Sequence, residues 1–171
     1  MAGGTYTLSA NTHFGVARFL SDGRIDTSFG TAGVLTTNIS RSAESDNAWS
    51  VAVQPDGKIL VAGDTSYVRS NPFPYPGFYS AANVDFAVVR YNANGSLDTT
   101  FSGDGIATTD FRLLTDNAYN VIVGPNGSIL LSGSSFTHDP SDTVNGGYWS
   151  FAVARYNADG SPDQAFKGGT N

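Results

Sequence analysis

One unit recurs three times in this chain and sets most of what it can fold into. Residues 14–29 read FGVARFLSDGRIDTSF, residues 86–101 read FAVVRYNANGSLDTTF, and residues 151–166 read FAVARYNADGSPDQAF. Each copy opens with an alternating, strand-like run. Each continues into a Gly-containing turn and closes on Asp and Phe. A unit repeated this closely is an architectural device, because each copy buries an apolar face against its neighbour. Two further motifs recur in the same order. GVLTTN at 33–38 returns as GIATTD at 105–110, and AWSVAVQ at 48–54 returns as AYNVIV at 118–123. Pro55-Asp56-Gly57 and Pro125-Asn126-Gly127 each follow the latter and precede KILVAG or SILLSG, a tight hairpin signal.

The anchors fix a period. Asp26, Asp98 and Asp163 are 72 and 65 residues apart, and Gly57 and Gly127 are 70 apart. Two stretches break the compact unit: an insertion at 66–84, carrying PFPYPGFY, and a second at 136–148. Without them the unit is about 50–55 residues with four strands, the size of a propeller blade. In blade order the strands are inner A (AWSVAVQ), B (KILVAG), C (DFAVVRY) and outer D (GIATTD). TYTLSANT, at 5–12, is assigned to strand B of the first copy. The chain then reads BCD–ABCD–ABC. The expectation is an all-β, propeller-like array of four-stranded antiparallel blades, about two and a half repeats, open rather than closed within one chain. It forms a single repeat domain over 1–171: a partial blade at 5–39, a full blade at 48–111 and an incomplete blade at 118–166. Strand edges left unmatched at both ends invite pairing with another chain. The start before a strand-like segment suggests a piece of something longer.

The order FAVxRYNxxGSxDxxF, GxxTTDF, DNAxxVxVxPxGxIxxxG resembles the delta-60 repeat, a propeller-type repeat of secreted and surface bacterial proteins. The resemblance covers about residues 6–166. It implies the fold and an extracellular or cell-surface parent protein, and it brings almost no biochemistry. Members commonly carry more repeats than this chain, and the two insertions depart from the compact repeat.

Composition limits partners. The net charge is −6 with only nine Lys and Arg, which disfavours nucleic acid and anionic membranes. No run reaches the ~18 apolar residues of a membrane-spanning helix, and the start MAGGTYTLSA lacks the basic and apolar regions of a signal peptide. The absence of Cys removes thiolate metal sites and disulfides.

Candidate sites fall into four groups. Asn157, Asp159, Ser161 and Asp163 place oxygens at alternate positions, as calcium loops do. Asn92, Asn94, Ser96 and Asp98 keep the spacing, but Leu20 and Arg24 break it in the first copy, so a turn held by local hydrogen bonds is the competing reading. Arg18, Arg90 and Arg155, with Asp26, Asp98 and Asp163 eight residues on, are either a ring of active-site groups or structural pairs across the turn. The structural pair is favoured. Asp46-Asn47 and Asp116-Asn117 precede the inner strands, where a propeller channel opens, and either meet a ligand or cap the loop.

The insertions are the fourth group. B–C and D–A loops emerge on one face of a propeller. That places Tyr67, Phe73, Tyr75, Phe78 and Tyr79 on the same face as His138, Tyr148 and Trp149. Aromatic rings beside Asn and Asp suit a sugar or a protein surface, and they equally suit packing on one another.

His13 and His138 are the only histidines, and no GxSxG, GxGxxG, P-loop or HExxH occurs. No catalytic residue is assigned, and no cofactor beyond the calcium reading. Three functions follow in order: a non-enzymatic extracellular scaffold that self-associates through open strand edges, a carbohydrate- or protein-binding module, and a fragment of a propeller enzyme. The partners expected are further copies or further repeats of a parent chain, with a glycan or protein as ligand.

Overall fold

A computed structural model describes residues 2–5, 12–40, 45–68, 82–111, 114–139, 141–142 and 146–166. Among the described residues ten strands form three antiparallel sheets and there is no helix. The first sheet is β1 (Ala2–Thr5), β2 (His13–Ala17) and β3 (Val34–Thr37). The second is β4 (Asp46–Val53), β5 (Ile59–Val68), β6 (Ala82–Tyr91) and β7 (Ile106–Thr109). The third is β8 (Asp116–Val123), β9 (Ile129–His138) and β10 (Gly147–Tyr156). Strands pair in chain order within each sheet, so the sheets are blades of type BCD, ABCD and ABC.

The period-2 pleat gives each blade two apolar faces. Ile59 and Val61 of β5 face the first blade, packed with Phe14, Val16, Ala87 and Val89. Leu60 and Ala62, one residue out of phase, face the third blade with Phe86, Val88, Ile129 and Leu131. Each cluster includes the Phe that closes the repeat, Phe29 in the first and Phe101 in the second. Repeat positions therefore share an environment wherever a neighbouring blade covers them, and stability is built at the blade boundaries.

Two sequence expectations need correction. Strand B of the first blade is β1, with Ala2 opposite Val16 and Gly3 opposite Gly15. These positions match Ala62 opposite Val88 and Gly63 opposite Ala87. Register follows the inward side chains of β2, and AGGT is the counterpart of AGDT. Of the strand expected at 5–12, Thr5 ends β1 and 6–11 lie outside the described residues. The insertions also begin later than expected. Ser66, Tyr67 and Val68 still pair with Val84, Asn83 and Ala82, and Phe136, Thr137 and His138 with Trp149, Tyr148 and Gly147. The ladder runs on because its polar members find partners: Ser66 Oγ donates to Ser45 O at 2.8 Å, and Asn83 Nδ2 donates to Tyr67 Oη at 2.9 Å.

Candidate functional site: blade boundaries and the upper rim

Each repeat carries one Arg at the end of strand C and one Asp after the following turn. Arg18 Nε donates to Asp26 Oδ2 at 2.8 Å, Arg90 Nε to Asp98 Oδ2 at 2.7 Å, and Arg155 Nε to Asp163 Oδ2 at 2.7 Å. The guanidinium lies over Phe29, Phe101 and Phe166 at 4.7, 4.6 and 4.8 Å from the ring centre. The fork then reaches the next blade: Arg18 Nη1 donates to Ala93 O, and Arg90 Nη1 to Ala158 O. Beside it Gly30 N donates to Asn94 O at 2.9 Å, and Ser102 N to Asp159 O at 2.7 Å. A third bond crosses each boundary, from Tyr91 Oη to Thr37 Oγ1 at 2.7 Å and between Tyr156 Oη and Thr109 Oγ1 at 2.5 Å. Each pair is thus engaged in its own turn, and the first two also reach the next blade.

Burial works to raise the Asp98 carboxyl, but Lys58, Thr100 and Arg90 outweigh it and hold it well below the usual carboxylate range. Lys58 Nζ lies 2.8 Å from Asp98 Oδ2. The turn of the third copy bonds to itself. Asp159 Oδ1 accepts from Ser161 N and Oγ at 2.9 and 2.7 Å, and Asn157 Nδ2 donates to Ser161 Oγ at 2.9 Å. Asp163 Oδ1 accepts from Ala165 N at 2.9 Å.

Antiparallel pairing brings the starts of strands A and C and the ends of B and D to one rim. At the first boundary Asp46 Oδ1 accepts from Thr65 Oγ1 at 2.6 Å and Oδ2 from Ile39 N at 2.8 Å. His13 Nδ1 lies 3.8 Å from that Oδ2. At the second boundary the matching positions hold Asp85, Asp110 and Asp116, with one carboxylate oxygen of each all within 4.8 Å of the others. Asp116 Oδ2 accepts from Phe111 N at 2.8 Å. Burial pushes the Asp116 carboxyl up against the lowering effect of Ser135 Oγ and Phe111 N, and the Asp110 charge adds to the rise. Only Asp116 was singled out from sequence. The terminal Asp of GIATTD and the Asp before FAVVRY carried the rest of the signal.

The inner strands each carry a bulge. Register shifts between Ala48 and Ser50 in β4, and between Ala118 and Asn120 in β8. The skipped residues are Trp49 and Tyr119, both more than half exposed, with rings edge to face at 6.4 Å. A bulge re-aims a side chain, and here it turns an aromatic out of the core. Trp49 Nε1 donates to Asp64 Oδ2, and Asn47 Nδ2 to Asp64 Oδ1 at 2.8 Å. The sequence marks AWSVAVQ as inner strand A and does not single out this pair.

The aromatics expected on the B–C face do not form one platform among the described residues. Tyr67 is tied to Asn83, and His138 ends β9 opposite Gly147. Tyr148 and Trp149 are consecutive on β10 and point to opposite faces of the sheet. Trp149 packs edge-on against Phe136 at 5.3 Å. Phe73, Tyr75, Phe78 and Tyr79 lie outside the described residues.

The model of a β-propeller domain family of unknown function, DUF5122, matches residues 1–29, 54–74, 77–101 and 124–166, more than half of the chain. The chain belongs to this family. The blade boundaries above are therefore those of a DUF5122 propeller, and the first matched segment contains β1, the strand misplaced from sequence. A comparison with curated proteins gave no match.

Proposed function

We propose that this chain is a non-enzymatic structural module of extracellular or cell-surface proteins, whose blades join head to tail with a second copy of the chain. The observation that carries this is the state of its outer blade faces. Phe14 and Phe86 are fully buried at the face that meets a following blade, while Phe151, at the same repeat position, is 78% exposed. Trp149 and Ile122 are exposed on that same face, and the half-buried Leu130 and Val153 lie between them. At the opposite end Phe19 is 49% exposed, whereas Tyr91 and Tyr156 at its position are buried. The two outer faces are thus the two halves of a boundary that the chain already forms twice. Faces of two different kinds make a heterologous contact, which closes into a ring when the rotation allows. Among the described residues β1 and β10 each pair on one side only, which favours strand addition at the same place. The repeat order supports the narrower assignment to the delta-60 repeat, and that assignment is the ground for the extracellular setting.

Light scattering over a range of concentrations tests this reading. The expected result is a mass above one chain that rises with concentration, and a monomer for Phe151→Asp with unchanged far-ultraviolet circular dichroism. A wild-type chain that stays monomeric throughout would overturn it.

A second reading, glycan binding, draws support from Trp49 and Tyr119, which present exposed rings beside Asp64, Asn47 and Ser134. Such rings stack on the apolar face of a sugar while the polar groups bind its edges. A glycan array is expected to give signal that Trp49→Ala removes. Signal that survives the substitution rules this reading out.

A further inference from the structure

We propose that Asp85, Asp110 and Asp116 form a divalent-cation site, suited to calcium, that ties the second blade to the third. The three carboxylates come from three elements: the start of β6, the residue after β7, and the start of β8. One oxygen from each lies within 4.8 Å of the others. Oxygens that ligate calcium at about 2.3–2.6 Å are separated by no more than about twice that distance. Asp85 and Asp110 belong to the second blade and Asp116 to the third, so an ion held by all three would bridge the boundary.

The second, independent observation is a set of buried oxygens without partners. Asp116 is fully buried, and its Oδ1 accepts no hydrogen bond. Asn83 is also fully buried. Its Nδ2 donates to Asp85 Oδ1 at 2.5 Å, which sets its amide against the cluster, and its Oδ1 has no partner. Ser135, directly opposite Asp116 in the ladder, is 94% buried, and its Oγ makes no regular hydrogen bond although it lies near enough to the Asp116 carboxyl to act on it. Buried polar atoms left unmatched cost free energy, and native proteins keep them where something else meets them. An ion would meet oxygens of this kind.

The first boundary is an internal contrast. There His13, Asn38 and Asp46 occupy the matching positions, with one carboxylate instead of three. Thr65, at the position of Ser135, donates to Asp46 Oδ1, so the carboxylate is satisfied within the protein. The same backbone frame is closed by protein groups at one boundary and offers an oxygen-rich cluster at the other. An all-oxygen set with three acids suits a hard cation. Calcium tolerates irregular geometry and completes its shell with water, whereas magnesium demands a near-ideal octahedron and zinc favours His and Cys.

The test is calorimetric titration of the chelator-treated full chain with calcium chloride, together with thermal unfolding in calcium and in sodium chloride of equal ionic strength. The expected result is roughly one ion per chain, with a dissociation constant of about 10⁻⁴–10⁻³ M or tighter, as in extracellular modules. The unfolding midpoint should rise with calcium and not with sodium. Asp110→Asn, at an exposed position, should fold normally and weaken binding by about tenfold or more, since even outer-shell partners act on that scale. Asp85→Asn should do the same, and terbium luminescence gives a second readout of each variant. Wild-type protein with no calcium heat and no calcium-specific shift would overturn the proposal. So would two aspartate variants that bind as the wild type does.

Discussion

Arg90 Nη1 donates at 2.5 Å to the carbonyl oxygen of Ala158, across the boundary between the second and third blades. The same guanidinium is held at Nε by Asp98 and lies over Phe101. One side chain therefore fixes a turn, covers an aromatic ring and grips the next blade. A planar fork allows this and an ammonium does not. Arg18 makes the same set of contacts one blade earlier. The repeated Arg is the unit by which one blade specifies where the next one sits.

Removing Arg90 should therefore cost more than removing Arg155. Arg90→Ala removes one of two cations at the buried Asp98, which keeps Lys58 and Thr100 as partners, and is expected to destabilise by about 2–3 kcal/mol, the upper range for a hydrogen bond to a charged group. Arg155 is more exposed, and Arg155→Ala should cost about 1 kcal/mol or less in the monomer. Arg90→Lys should not restore the loss. Urea denaturation of the three variants decides the order. Equal losses at 90 and 155 would show that the contact across the boundary adds nothing.

Glycine at the boundary turn is the second test. Gly160 has φ +87°, and a Cβ there would stand 2.7 Å from Phe101 Cδ2 and 2.8 Å from Ser102 N in the preceding blade. Gly95 has φ +92° and would meet Gly30 N at 2.8 Å. Gly23 occupies the same place in the first copy, with φ +84°, and meets nothing within 4 Å. Gly23→Ala should cost only the left-handed backbone, about 1–2 kcal/mol. Gly95→Ala and Gly160→Ala should cost clearly more, because backbone stands in the way as well. Thermal unfolding of the three variants separates conformation from collision. If the three costs are alike, the close approach of blades is not what the glycine serves.

Much of this architecture was legible before any coordinates, because three copies of one pattern constrain each other. Strand order and the blade count follow from repeated motifs alone. Three things escaped for physical reasons. AGGT has too few apolar residues to announce a strand, and it is one because β2 offers it a register. Ser66 and Asn83 read as loop, since their polarity is satisfied only by partners that the hairpin itself creates. Trp49 is one more apolar residue in strand A, AWSVAVQ, and a single extra residue in the strand sends it outward. The Asp85, Asp110 and Asp116 cluster escaped differently. Asp85 is 25 residues from Asp110, and the three carboxylates meet only when two blades pack.

Acid should weaken the fold through Asp98. Its carboxyl is held below the ordinary range in the folded chain, so the unfolded chain takes up its proton first as pH falls. The stabilisation is fully present above the unfolded value near 4 and is lost as pH drops below it. Asp98→Asn should lower stability at pH 7 and flatten the acid limb. Asp64 works in the opposite sense, since burial raises its carboxyl despite the donors Asn47 and Trp49. Its contribution is greatest below about pH 4 and is lost as pH rises through the raised value. Asp64→Asn should therefore be better tolerated at pH 7 than Asp98→Asn, measured by urea unfolding between about pH 3 and 7. A variant order reversed at pH 7 would contradict this.

Alkali should act through the two boundary tyrosines. Burial pushes the Tyr91 and Tyr156 hydroxyls up to about 12, although Thr37 and Thr109 bond to them. The unfolded chain ionises these phenols near pH 10 while the folded chain keeps them neutral. Their stabilisation is thus complete below about pH 10 and is lost as pH rises toward about 12, by about 1.4 kcal/mol per pH unit for each tyrosine. Tyr91→Phe and Tyr156→Phe should each lose about 1 kcal/mol at pH 7 with the missing hydrogen bond. Each should also remove its share of the alkaline slope. Phe19 is a natural reference, because the first copy already has Phe at this position and keeps the same strand and turn. Circular dichroism through pH 9–12, followed with phenolate absorbance at about 295 nm, would show unfolding and ionisation together. Phenolate absorbance that appears with the fold intact would mean that the boundary opens to solvent without unfolding, and that the hydroxyl pairs do not hold the blades together.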